Sequence, residues 1–219
     1  MINDLINFAK YRSPKNGVEE ISSKDDLNDF QKELFRNWDS NFLIGKGRQQ
    51  TVSTSLAWLS YYRAAHLSQD VAIKTVKMDM VTSLFQSIKL FCPKSDIQRD
   101  NKTELKFTNG GKIQAISKFD DYIGKKFHSV FIDETGPLWD INPVQREVEE
   151  ARHTMPFQII AAVTVREKSN YNDEKFIQNL NQLLWTLKEY QGSFKYIEAW
   201  NKGTLLSDRD IRAYRSMIK

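Results

Sequence analysis

The chain has 219 residues, of which 40% are hydrophobic and 27% charged, and its formal net charge is +4. That length supports a full-sized core, and the composition excludes a disordered polar chain. No apolar run approaches the roughly 18 residues that span a membrane, and the single cysteine, Cys92, excludes an internal disulfide.

The mildly basic balance permits nucleic acid as a partner. The N-terminal stretch MINDLINFAKYRSPKNG lacks the charge, apolar run and small-residue site of a signal peptide. With the lone cysteine, that reads as an intracellular, reducing setting. Cys92, in KLFCPKS, reads as a part-buried structural thiol. His66, His128 and His153 lie far apart and show no metal-ligand spacing.

In chain order, NFLIGK (41–46) predicts a short buried strand and VSTSLAWLSYYRAAHL (52–67) a helix. DVAIKTVK (70–77) predicts a second strand, and MDMVTSLFQSIKLF (78–91) a second helix. ELKFTNGGKIQAIS (104–117) predicts a hairpin turning at Asn109-Gly110, a favoured tight-turn pair. FHSVFIDE (127–134) predicts a buried strand ending in two carboxylates, followed by a helix over 142–153 and a buried strand over 156–165. A long helix over 172–190, a strand over 193–201 and a helix from Ser207, a good N-cap residue, complete the chain. Strands alternating with helices, several of the strands nearly all apolar, predict an α/β fold with a largely parallel sheet. In such sheets ligands lie at the carboxyl ends of the strands, where Gly47 and the Asp133-Glu134 pair fall.

LIGKGRQQTVSTSLAWL (43–59) has the shape of a phosphate-binding loop between a strand and a helix. Such a loop needs converging backbone N–H groups, a cation for the β and γ phosphates and a hydroxyl for Mg²⁺. GRQQTVS, Gly47 to Ser53, is the candidate loop, and Ser53 supplies the hydroxyl. Thr51 stands where a second glycine is usual and Val52 where the lysine is usual. The cation is then Lys46, just before the loop, or Arg48 within it. The competing reading is a polar strand-to-helix turn with a capping threonine. SVFIDETG supplies a second motif: Asp133 suits Mg²⁺ and Glu134 suits a base that deprotonates water. An exposed acidic pair at a strand end is the alternative there.

Together these motifs resemble those of the large terminase subunits of tailed phages, the DNA-packaging ATPases, over most of the chain. DFQKELFRNW (29–38) resembles the segment whose glutamine reads adenine, GKGRQQTVSTSLA (45–57) the arginine-glutamine Walker A loop, and LKFTNGGKIQAIS with DDYIGKKFHSVFIDETGPL (105–138) the stretch leading into Walker B. FQIIAAVTVREKSN (157–170) resembles the strand that ends in the coupling motif.

The resemblance implies a P-loop NTPase domain of the ASCE, RecA-like type over 1–203, with a helical N-terminal segment over 1–40. It implies ATP and Mg²⁺ as cofactors, with nucleotide bound by Gln31, Lys46, Gly47, Arg48, Gln49, Gln50, Thr51, Val52, Ser53 and Thr54. Ser53 and Asp133 hold the metal, Glu134, Arg48 and Lys46 are catalytic, and Thr164 couples hydrolysis to motion, unless it is a strand-end threonine with a local hydrogen bond. Phe30 and Trp38, near the adenine segment, read as buried core aromatics rather than stacking partners. Arg146, Arg152 and Arg166 are the candidates for an arginine acting on a neighbouring subunit, solvated surface charge being the default for each.

Implied partners are double-stranded DNA, the portal protein and the small terminase subunit. No membrane is involved. A ring forms on assembly, in the cytoplasm of the infected host and docked transiently on the procapsid, and the isolated domain is compatible with a monomer. IEAWNKGTLLSDRDIRAYRSMIK resembles the junction to the family's nuclease domain, with 204–219 as the start of that linker, and no nuclease activity is expected. CPKSDIQRDNK (92–102) and GKKFH (124–128) are candidate DNA contacts. The alternatives are a helicase-like translocase and a non-hydrolysing nucleotide-binding assembly module with a degenerate loop.

Overall fold

The structure, a computed structural model, describes residues 29–46, 52–75, 78–135, 141–164, 178, 181–188 and 194–199. Helix α1 (Asp29–Arg36) opens the described chain, with Asp29 in its first turn and Arg36 in its last, each matched to the helix dipole. It buries Phe30, Gln31, Leu34 and Phe35 on one face. Strand β1 (Asn41–Lys46) and helix α2 (Val52–Tyr61) follow. Buried residues run through both, so each is enclosed on all sides.

A π-helical turn over Tyr62–His66 ends α2 where the sequence predicts uninterrupted helix to 67. Asn109 Nδ2 donates to the carbonyls of Ala64 and Ala65 at 3.0 and 2.7 Å, so the hairpin turn answers carbonyls that the helix end leaves open. Strand β2 (Asp70–Thr75), helix α3 (Met78–Phe91) and the hairpin strands β4 (Glu104–Phe107) and β5 (Lys112–Ile116) lie where the pattern predicts them, with 76–77 outside the described residues. Strand β3 (Ile97–Asp100) was not anticipated. Three of its four residues are exposed, so it has no apolar signature, and it exists by pairing antiparallel with β4.

Strand β6 (Ser129–Asp133), helix α4 (Ile141–Arg152), strand β7 (Gln158–Thr164) and strand β8 (Phe194–Ala199) complete the sheet. Of the predicted helix over 172–190, residues 178 and 181–188 are described and helical. The predicted helix from Ser207 lies outside the described residues.

The eight strands form one sheet in the order β3-β4-β5-β2-β6-β7-β1-β8, antiparallel only at β3-β4-β5 and parallel from β5 to β8. Helices α1, α2 and α3 cover one face, over Phe42, Ile44, Ile73, Phe131 and Ile160. Helix α4 and residues 183 and 187 cover the other, over Leu43, Ala72, Ile132 and Ala161. Successive strand residues thus serve opposite cores. β6 is central, and β7 separates it from β1, so Lys46 and Asp133 end strands that are not neighbours.

Candidate active site

The lysine ending β1 and the aspartate ending β6 lie on the α2 face of the sheet, since Phe42, Ile44 and Phe131, which share their alternation, belong to that core. Lys46 Nζ lies 2.5 Å from Asp133 Oδ1, reaching past β7. Ser53 Oγ, in the first turn of α2, donates to Asp133 Oδ2. Both oxygens of one carboxylate are thus engaged, and Asp133 is only 1% exposed. Two chain segments far apart in sequence meet at the positive end of a helix, where anionic groups are favoured.

Glu134 leaves β6 with φ +72°, in the left-handed region that a glutamate rarely occupies. Thr135 then turns back onto β7, its N–H and Oγ1 both donating to the Ala162 carbonyl, at 2.9 and 3.1 Å. That anchorage holds a conformation costing about 1–3 kcal/mol, a pattern that clusters at functional sites. Thr164 ends β7 and is paired in register with Lys46 on β1.

Gln31 is buried, and its Nε2 donates to Ser55 Oγ at 3.2 Å, tying α1 to α2 just beyond Ser53. Phe30 and Trp38 are buried, as the sequence reading has them. The Val52 side chain enters the core, so this residue offers a ligand only its backbone. Thr54 lies beside Ser53 and is partly exposed. Gly47, Arg48, Gln49, Gln50 and Thr51 lie outside the described residues, as does Arg166. Arg146 is exposed on α4, 3.9 Å from Glu150, and Arg152 is exposed at the end of α4, so neither joins the Lys46–Ser53–Asp133 group.

Burial pushes the Cys92 thiol up to about 11, the behaviour of a packing residue rather than a nucleophile. In the candidate DNA segments Lys126 and Lys102 are exposed, whereas Phe127 is buried. Among the described residues no cluster of His, Cys, Asp or Glu has the makings of a metal site of three or more such ligands, and no helix is long and apolar enough to cross a membrane.

Sequence reasoning missed two buried cations. Arg63, wholly buried in the π turn, lies over the Trp38 ring at 4.5 Å and donates to the Trp38 carbonyl, Asp39 and Gln69 at 2.9, 2.8 and 2.9 Å. Lys74 in β2 is buried between carboxylates of α4. The only signal for either was a charge inside an otherwise apolar stretch.

No protein-family model matches the chain, and no curated protein matches it. Solved structures do. The ATPase domain of the Thermus phage P74-26 large terminase aligns with a TM-score of 0.51 at 13% identity, over 87% of this chain and 85% of that one. A point mutant of that domain aligns with a TM-score of 0.50 at 12% identity, over the same shares. The HK97 bacteriophage large terminase aligns with a TM-score of 0.56 at 13% identity, over 98% of this chain and 51% of that chain. The present chain therefore spans about half the length of that protein. At such identities the likeness is one of architecture: the chain shares the fold of phage large terminase ATPase domains.

Proposed function

We propose that this chain is the ATP-hydrolysing part of a viral DNA-packaging motor, coupling ATP hydrolysis to movement of double-stranded DNA into a procapsid. The observation that carries the reading is the convergence of Lys46 and Ser53 on the buried Asp133 at the carboxyl ends of a parallel sheet. The fold shared with terminase ATPase domains supports it.

The donor set suits Mg²⁺: a hydroxyl and a carboxylate oxygen in contact are hard ligands of the kind that ion takes beside phosphates. Ser53 and Asp133 would hold it, and when bound it would neutralise charge on the phosphate oxygens. Lys46 carries its ammonium at the start of α2 and exchanges the Asp133 carboxylate for a phosphate when nucleotide enters. Glu134, at the strained turn that ends β6, takes the proton of the attacking water. Gln31 contributes adenine selection from α1, Arg48 adds positive charge at the phosphates, and Thr164 passes the state of the site along β7.

On this reading the working form is a ring on the portal protein in the host cytoplasm, with double-stranded DNA and the small terminase subunit as further partners and Arg146, Arg152 or Arg166 reaching a neighbour's site. A second reading, a nucleotide-binding module that does not hydrolyse, is favoured by the burial of Val52 where such loops usually carry lysine.

Separate measurements of Mg²⁺-dependent ATP affinity and single-turnover hydrolysis at high protein concentration discriminate the two. Wild type is expected to bind and hydrolyse, Lys46→Ala to lose binding or turnover, and Glu134→Ala to bind with turnover lowered by about a hundredfold or more. Binding without turnover in wild type establishes the module. No binding at all, or a Lys46→Ala variant equal to wild type, sinks the ATPase reading.

A further inference from the structure

On the sheet face opposite Lys46 and Asp133, a second ionic cluster joins a buried lysine to two partly buried carboxylates. Lys74 alternates with Ala72 onto the α4 side of β2, and its side chain is 8% exposed. Its Nζ lies 2.5 Å from Glu147 Oε2 and 2.8 Å from Glu150 Oε2. The bond to Glu150 is a hydrogen bond, whereas Glu147 Oε2 makes an ion pair without hydrogen-bond geometry. The ammonium also stands 5.7 Å from the Tyr122 ring centre, and the buried Tyr122 hydroxyl has no hydrogen-bond partner.

One ammonium against two carboxylates is an expensive way to fill a core, because desolvation offsets most of the attraction and apolar side chains of the same volume serve stability as well or better. The best-attested use of such a cluster is to fix register. What this cluster joins is specific. Lys74 pairs with Ile132, and Thr75 pairs with Asp133, in the β2–β6 ladder. Glu147 and Glu150 lie on α4, the first described helix after Glu134. The cluster thus ties α4, which follows the Glu134–Thr135 turn, to β2, the strand paired with the acidic strand that precedes it.

We propose that Lys74 is a positioning residue for the candidate active site: by holding Glu147 and Glu150 it sets α4 in register on β2 and so holds the Glu134–Thr135 turn in place. Its catalytic consequence rests on the ATPase reading above, whereas its mechanical part does not.

Hydrogen exchange on Lys74→Met, Lys74→Arg and Glu147→Gln tests the mechanical part without nucleotide. Lys74→Met is expected to speed exchange both in 141–152 and in 129–135, the Thr135 amide included, while β1 and α2 keep wild-type protection. Lys74→Arg is expected to restore wild-type exchange. With ATP, Lys74→Met is expected to lower single-turnover rate by about tenfold to a hundredfold with affinity held within about threefold, since displacement of a catalytic group by about 1 Å costs that much.

Faster exchange confined to 141–152, or affinity falling in step with turnover, overturns the proposal and makes the cluster local packing. If wild type does not hydrolyse ATP, the ATPase reading fails and the exchange pattern alone decides the positioning. If Lys74→Met does not fold, Glu147→Gln, which leaves one carboxylate for the ammonium, is read in the same way.

Discussion

Asp133 accepts from Lys46 with one oxygen and from Ser53 with the other while almost wholly buried. Removing one partner of such a pair strands a charge, at a cost of about 3–5 kcal/mol, whereas removing both charges costs far less. Lys46→Met is therefore expected to lower stability strongly, and Lys46→Met with Asp133→Asn to recover most of that loss. Urea unfolding of the two single variants and the double variant gives the coupling, and additive losses would show that the pair does not act as a unit. Glu134 makes the opposite trade. Glycine carries no Cβ penalty at φ +72°, so Glu134→Gly is expected to abolish turnover while leaving stability level or raising it by about 1 kcal/mol. A thermal melt alongside a turnover assay checks both parts, and a clear fall in Tm would mean that the glutamate side chain supports the turn.

Most elements were legible because each carries its own local signal. Continuous apolar runs marked β1, β6 and β7, and Asn109-Gly110 marked the hairpin. Strand β3 was not legible, because its stability comes from the β4 edge rather than from its own mostly exposed side chains. Nor was the π turn, which is fitted to the hairpin tip. A Cβ built on Gly111 would stand 2.2 Å from the Ala64 carbonyl oxygen, a backbone atom with little room to yield. Gly111→Ala is expected to cost about 2 kcal/mol by driving the hairpin off the helix end. Gly45→Ala meets the Tyr196 hydroxyl at the same distance but should cost less, since that atom is the far end of a side chain. Denaturant midpoints rank the two, and an equal or reversed order would show that the helix end gives way.

At the scale of the whole molecule, the end of the sheet away from Asp133 is closed by a polar network. Arg63 holds the Trp38 carbonyl, and Gln158 Nε2 donates to the carbonyls of Trp38 and Ser40 at 2.6 and 2.7 Å. His128 Nδ1 lies 3.4 Å from the Arg63 guanidinium and 2.9 Å from Ser129 Oγ. Burial, with the Arg63 charge second, lowers the His128 pKa below its ordinary value, and burial does the same for His66. The folded state then takes up protons less readily than the unfolded chain. Stability is therefore complete above the ordinary histidine value, roughly 6.5, and declines as pH falls below it toward the lowered folded-state values. Melting temperature is expected to drop between about pH 6.5 and pH 5, and His128→Gln is expected to flatten that slope. An unchanged slope in the variant would assign the effect to other groups. The sequence by itself determined the alternation of strands and helices and the strand ends that carry Lys46, Asp133 and Glu134, because those signals lie within a few residues of one another. Only the tertiary structure decided that β7 separates the two motif strands, that Lys46 reaches past it to Asp133, and that Arg63 and Lys74 are sealed in the core. Those facts depend on strand order and on contacts between distant segments, which local periodicity does not encode.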